Sequence, residues 1–219
     1  MVLCAFVAGC SGHVLRWQQS GDPGPTPVDS VLPYLGLGVA CSSVVVGPGI
    51  LVTAAHCVHA ARGEGTTGHI APPGTLDQIQ VVGTLDSPSA DVSLLNAPTL
   101  RAPPVGIEYH PDVTRLWVAG YGCTGFTSLG IRDASPFGLS NDGSSVLLGQ
   151  ACHGDSGGGV FDVHGNLVAI MTAIVWEEWG AVAAIGVTPM VHVAQGLRPG
   201  APGWVGDGPV RGPDRGPAR

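Results

Sequence analysis

Positive charge is scarce in this sequence. Nine lysines and arginines face sixteen acidic residues among 219, for a formal charge of −7. A chain so poor in cations has no basic stripe from which to build a phosphate-binding face, so nucleic acid is not an expected partner. No uninterrupted apolar run reaches the roughly 18 residues that a bilayer-crossing helix requires. The six cysteines contain no Cys-x-x-Cys pair, and the eight histidines do not fall at zinc-site spacing. No metal and no other cofactor is therefore expected, and the cysteines read as disulfide partners. Disulfides imply an oxidising compartment and hence an exported protein.

What the chain has in quantity is glycine (35) and proline (19), about a quarter of its length, together with 44% hydrophobic residues. Short apolar runs punctuated by Gly and Pro suit an all-β domain with many turns. The length allows one ordinary domain or a pair of small β-barrels sharing an interface.

Residues 1–10 are apolar and end in Val7-Ala8-Gly9-Cys10. This ending resembles the lipobox of bacterial lipoproteins, where the cysteine is acylated after the preceding segment is removed. Two readings stand: lipidation of Cys10 with membrane attachment, or an export-type apolar leader carrying an incidental cysteine. Residues 11–30 read as a Pro/Gly-rich linker, and the fold is expected to begin near Val31. The Gly/Pro/Arg tail, 197–219, reads as disordered. Between these ends, Val44-Val45-Val46 and Ile50-Leu51-Val52 flank Gly47-Pro48-Gly49, a strand, turn, strand signal. Residues 97–114 carry four prolines and read as a connection, and 125–145 read as a polar surface loop. Hairpin strands are expected on either side of His164-Gly165-Asn166, a further strand over 181–187, and a short helix over 188–195.

Residues 152–158 read Cys-His-Gly-Asp-Ser-Gly-Gly. A serine flanked by glycines, with Asp155 before it, lets the backbone turn sharply, expose one hydroxyl and aim N–H groups at a nearby oxyanion. Ser156 is the candidate nucleophile, although Gly-Ser clusters alone are more often plain turns. Upstream, residues 51–57 read Leu-Val-Thr-Ala-Ala-His-Cys, and between the two runs residues 90–95 read Ala-Asp-Val-Ser-Leu-Leu. Asp91 leads into a half-buried strand, where a carboxylate is shielded and free to accept from one imidazole nitrogen. Asp77 and Asp86 read as turn or strand-capping residues instead. His59, His69, His110, His164 and His192 read as surface or satisfied core residues, whereas the sequence context of His56 makes it the candidate base.

These three motifs, in the order His56, Asp91, Ser156, resemble those of the chymotrypsin-like (trypsin-like) serine protease family in a compact bacterial form, over residues 31–196. The resemblance implies two antiparallel six-stranded β-barrels with the active site in the cleft between them. Residues 31–105 would form the first, carrying His56 and Asp91, and 106–196 the second, carrying Ser156. Residues 116–123 resemble the strand that opens the second barrel. The implied activity is hydrolysis of a polypeptide by a monomeric serine endopeptidase of the bacterial cell envelope or exterior. The backbone N–H groups of Gly154 and Ser156 would form the oxyanion hole. Cys41 would pair with Cys57, holding His56 at the rim, and Cys123 with Cys152. The family's more frequent partner for a cysteine at 152 follows the nucleophile, and none follows it here.

Counting back six residues from the nucleophile puts Gln150 at the base of the specificity pocket, which does not support a preference for Arg or Lys. Thr172 falls where the family has a pocket-wall serine. The Trp176-Glu177-Glu178-Trp179 run reads as an exposed loop or as an acidic rim. In trypsin-like members the counterpart of Asp155 pairs with a new amino terminus released after a basic residue. Here the only Lys or Arg before Arg62 is Arg16, followed by Trp17. Either Asp155 has another partner and the enzyme is active as made, or the loop is malformed and the chain is a catalytically silent, protease-like binding module. The first is preferred, because bacterial relatives without that activation step exist. An esterase of another fold is disfavoured, since its Ser, Asp, His order is the reverse.

Overall fold

The computed structural model describes residues 27–109, 115–139, 145–178 and 182–196. A helical turn, α1 (Pro27–Ser30), leads into β1 (Val31–Gly36), β2 (Val39–Gly47) and β3 (Ile50–Thr53). Helix α2 (Ala55–Gly63) follows, then β4 (His69–Ile70), β5 (Ile79–Gln80), β6 (Gly83–Asp86) and β7 (Ser93–Asn96). The second half holds β8 (Leu116–Gly120), a 3-10 turn at Gly122–Thr124, β9 (Gly130–Leu139) and β10 (Ser145–Gly149). It ends with β11 (Gly159–Phe161), β12 (Leu167–Glu178), β13 (Val182–Pro189) and helix α3 (Met190–Gly196).

The first seven strands form one sheet in the order β5-β4-β1-β2-β3-β7-β6, and the last six form a closed barrel, β10-β13-β12-β11-β8-β9. Every strand-to-strand pairing is antiparallel. This is the double β-architecture expected from the sequence, with seven strands in the first half. The β2–β3 hairpin turns where Gly47-Pro48-Gly49 marks it, with a register shift beside Gly47. Gly49 has φ +69 and a Cβ there would lie 3.0 Å from the Ala97 carbonyl oxygen, so both conformation and space call for glycine.

Alternation along the strands builds three buried clusters. One lies within the first sheet around Tyr34, Leu51, Val58 and Leu95. Another fills the closed barrel around Val118, Leu147, Val160 and Ile185. The third joins the halves: Val31, Val44 and Val52 of the first sheet meet Tyr121, Phe161, Leu167 and Ile170 of the second, and α3 adds Met190 and Val193. Val31, Val44 and Val52 are each fully buried, worth about 1.5–3 kcal/mol apiece. The two halves are therefore held by a shared core. The connection between them is laced to both: Val105 N–H donates to the Val45 carbonyl at 2.9 Å, and Leu167 N–H to the Gly106 carbonyl at 2.7 Å.

Three segments differ from expectation. Residues 27–30, read as linker, form a helical turn whose Ser30 hydroxyl donates to the Pro103 carbonyl at 2.9 Å. Part of 125–145, read as loop, is strand β9 despite Gly130, Pro136 and Gly138, because β8 and β10 supply partners on both sides. A register shift between Val146 and Leu147 absorbs the break near Pro136. Residues 176–178, read as loop, continue β12. The leader, Cys10, Trp179 and the 197–219 tail lie outside the described residues.

Two disulfides form, Cys41–Cys57 and Cys123–Cys152, both pairings expected from the sequence. The first spans 16 residues, and closing a loop of about 15 is worth roughly 3 kcal/mol by chain entropy. Replacing both Cys41 and Cys57 by Ala is expected to lower the unfolding free energy by about that amount, read from urea denaturation extrapolated to water with the m-value fitted for each protein, since freeing the unfolded chain changes m as well. A change within about 0.5 kcal/mol, as at an indifferent surface site, would mean that the bridge contributes nothing to the fold.

Candidate active site

His56 sits in the first turn of α2, whose N-cap residue, Ala54, has no side chain able to accept from the helix end. A carboxylate from elsewhere does this instead. Asp91 Oδ1 accepts the His56 backbone N–H at 2.8 Å, and its Oδ2 lies 2.6 Å from His56 Nδ1. One acid thus satisfies an orphan helix donor and fixes the ring plane. With Nδ1–H donating to the carboxylate, Nε2 is the nitrogen left with a lone pair. Both side chains are nearly half exposed, 49% for His56 and 39% for Asp91, so the carboxylate is less shielded than the sequence suggested.

Burial pushes the Asp91 carboxyl up, but hydrogen bonds from the His56 ring and backbone, with the His56 and His59 charges, outweigh it and hold it below the ordinary value. Asp86 also sits low. Burial raises it, while Ser93, Arg62 and His59 lower it further. The two acids do different work: Asp86 accepts from Arg62 at 2.7 Å, Ser93 at 2.5 Å and His59 at 3.1 Å, and makes no bond to His56.

The loop 151–158 folds back on itself and onto both sheets. Asp155 N–H donates to the Cys152 carbonyl at 3.0 Å, and Gly158 N–H to the Asp155 carbonyl at 2.8 Å. Gly157 N–H reaches the Met171 carbonyl on β12 at 2.7 Å. Ser42, fully buried on β2, reaches across from the other sheet: its N–H donates to the Ser156 carbonyl at 2.8 Å and its hydroxyl to the Gly154 carbonyl at 2.9 Å. The same hydroxyl accepts the Tyr121 N–H at 3.0 Å. Gly157, at φ +82, packs so closely that a Cβ would lie 2.1 Å from Thr53 Oγ1 and 2.9 Å from Ala54 N. The serine loop therefore abuts the segment that leads into His56. Gly154 has φ +101, and a Cβ there would meet the Phe126 ring at 2.5 Å. Among the described residues, the N–H groups of Gly154 and Ser156 have no intramolecular acceptor.

Asp155 is 2% exposed. Its carboxylate accepts N–H from Gly122 and from Cys152, each at 2.8 Å, and Arg132 Nη2 lies 2.8 Å from Oδ2. The guanidinium is itself buried and meets the acid as an ion pair without an aligned hydrogen bond. The partner left open by the sequence is thus an arginine of β9. Sequence reasoning missed Arg132 and Ser42. The signals were a lone cation in a nearly cation-free stretch, and two serines, Ser42 and Ser43, inside an apolar strand.

Gln150 and Thr172 are not among the described residues that line the cavity beside Ser156. Gln150 is exposed beyond the end of β10, and Thr172 donates to the Gly186 carbonyl at 3.2 Å. The cavity is lined by Ala151, Met171, Ala173, Ile174 and Ile185, with residues of the serine loop. Two clusters of His, Cys and Asp ligand atoms occur among the described residues, around Cys41–Cys57 and Cys123–Cys152. In both the sulfurs are bonded to each other, and so offer no thiolate to a metal.

Two antiparallel β-structures joined by one core, with a glycine-rich serine loop packed against the segment that leads into a carboxylate-held histidine, define the double-barrel class of folds. A trypsin-like peptidase domain model matches residues 41–170, and the chain belongs to that family. Solved structures with the same fold include the inactive form of the M. tuberculosis Rv3671c protease, at 21% identity and TM-score 0.61, covering 78% of this chain and 88% of that one. The active form of that protease aligns at 19% identity and TM-score 0.58, over 78% of this chain and 80% of the other. A serine endoprotease of Yersinia pestis aligns at 16% identity and TM-score 0.60, over 77% of this chain and 61% of its own. No curated protein matches the chain. The family and its protease relatives support a serine-type peptidase acting on polypeptides.

Removing one partner of a buried ion pair strands the other charge. Arg132→Ala is accordingly expected to destabilise the protein by about 3–5 kcal/mol in urea denaturation, whereas a loss under about 1 kcal/mol would mean that Asp155 does not rely on the guanidinium. The depressed carboxyls give a second expectation. Their stabilisation is complete above the unfolded Asp value of about 3.9 and fades as pH falls through the folded values. Unfolding free energy should drop on acidification below about pH 4, and Asp86→Asn should flatten that limb in urea titrations. An acid limb of unchanged slope in the variant would remove Asp86 as a source.

Proposed function

We propose that this chain is a serine endopeptidase working through an acyl-enzyme, with Ser156 as nucleophile, His56 as general base and acid, and Asp91 as the carboxylate that orients the ring. The observation that carries the reading is the double hold of Asp91 on His56, at 2.6 Å through Nδ1 and 2.8 Å through the backbone. An unassisted serine hydroxyl is a poor nucleophile. In the proposed reaction Nε2 takes the Ser156 proton as Oγ attacks the scissile carbonyl carbon, and Asp91 stabilises the resulting imidazolium. The oxyanion of the tetrahedral intermediate accepts from the Gly154 and Ser156 N–H groups. Losing one such donor typically costs about 10²–10³-fold in turnover. The imidazolium then protonates the leaving amine as the C–N bond breaks; water, deprotonated by the same nitrogen, attacks the acyl carbon, and the bond to Ser156 Oγ breaks as Oγ takes the proton back from the ring.

The same proposal divides the chain at 105/106, with His56 and Asp91 before the boundary and Ser156 after it. It takes the protein as exported and monomeric, with residues 1–10 as leader and Cys10 as the site of any lipid anchor. Two disulfides are in keeping with an oxidising compartment. The alternative, a silent binding module, drew on the missing activation terminus. The Arg132–Asp155 pair weakens that ground, since the buried carboxylate has an internal cation and the enzyme can be active as made.

A fluorophosphonate probe is expected to label the wild-type protein and not Ser156→Ala, while Asp91→Asn lowers kcat on a peptide amide by about 10⁴-fold. Absence of labelling in folded, disulfide-intact wild type would favour the binding module.

A further inference from the structure

The cavity beside Ser156 is small, with polar residues of the serine loop on one side and aliphatic side chains of β12 and β13 on the other. Its volume is about 90 Å³. Ile174 of β12 and Ile185 of β13 stand directly opposite each other in the strand register, and both line it. Met171, from the same strand as Ile174, and Ala151, from the serine loop, complete the apolar wall. Ile185 and Met171 are 1% and 2% exposed, so neither side chain has solvent to swing into. β-Branched side chains are in any case stiff at χ1, which makes the Ile174–Ile185 pair a fixed stop.

We infer that this cavity takes the side chain of the substrate residue on the acyl side of the scissile bond (P1), and that it selects small aliphatic residues such as Ala and Val. The inference rests on the reading of Ser156 as nucleophile. Size decides against aromatic residues: the cavity is smaller than the roughly 150 Å³ apolar void that admits a benzene ring. Charge decides against Arg and Lys. The buried anion in the lining, Asp155, is already met by Arg132 and two backbone N–H groups. Among the described residues of the lining, a cation entering there would lose its water without gaining a counter-charge. The other ionisable side chain in the lining, His153, is exposed and supplies no anion.

The test is a set of peptide p-nitroanilides identical except at P1, run beside fluorophosphonate labelling of the same protein. Ala and Val are expected to exceed Phe and Arg in kcat/KM by at least about 10–200-fold, the range set by a single misfitting methylene in an apolar pocket. Ile174→Ala is expected to raise the Phe:Ala ratio by about tenfold or more, a change between substrates that a purely structural defect would not produce. Labelled protein that prefers Phe or Arg would overturn the pocket assignment and leave the nucleophile standing. An unchanged Phe:Ala ratio in Ile174→Ala would overturn the role of the isoleucine stop. Folded protein that takes no label would overturn the nucleophile and this inference with it.

Discussion

Ser42 carries four hydrogen bonds from a fully buried position, and three of them join it to segments about a hundred residues away. Its N–H and hydroxyl hold the Ser156 and Gly154 carbonyls, its hydroxyl accepts from Tyr121 at the end of β8, and its carbonyl accepts from Thr53 at 2.7 Å. Each of these groups would be costly to bury alone, so the hub is stable only when both halves are docked. That dependence links fold to site. The serine loop takes its shape from a residue of the opposite sheet, and Thr53, bonded to the same residue, lies three positions before His56. Fixing two carbonyls of the loop on Ser42 also sets which faces of its peptide planes remain for a ligand.

The carboxylate beneath that loop is the second constraint. Asp155 binds the N–H groups of Gly122 and Cys152, and the Cys123–Cys152 disulfide ties the same two segments covalently. Arg132 balances the charge from β9. A loop this rich in glycine would sample many conformations alone. Here it is pinned from below by an anion, from the side by a disulfide and from across the cleft by Ser42.

The parts of this arrangement that were legible in the sequence are those written in contiguous residues. Gly47-Pro48-Gly49 marked its hairpin because the turn chemistry is local, and the glycines around Ser156 marked a sharp turn for the same reason. Helix α2 was not legible: its N-cap position is Ala54, which has no capping side chain, and the group that takes the cap's place, Asp91, lies 35 residues from His56. Strand β9 was hidden by Gly130, Pro136 and Gly138, whose poor strand propensity is overridden by pairing on both sides. Counting along the chain led to Gln150 and Thr172, which are not among the described residues lining the cavity beside Ser156. That cavity is lined from β12, β13 and the serine loop, and register shifts between Met171 and Ala173 and between Ile174 and Trp176 decouple sequence distance from position there.

Scarcity of cations also separates Asp86 from Asp91. The two acids stand five residues apart and either could be placed before an apolar strand by inspection. Arg62 pairs with Asp86, and Arg132 with Asp155. Among the described residues no arginine pairs with Asp91, whose ion-pair partner is His56. An arginine at that carboxylate would already neutralise it and dilute its pull on the imidazole. Without one, the carboxylate meets the His56 ring and the His56 backbone N–H, and the scarcity of arginine leaves both of its oxygens to that one residue.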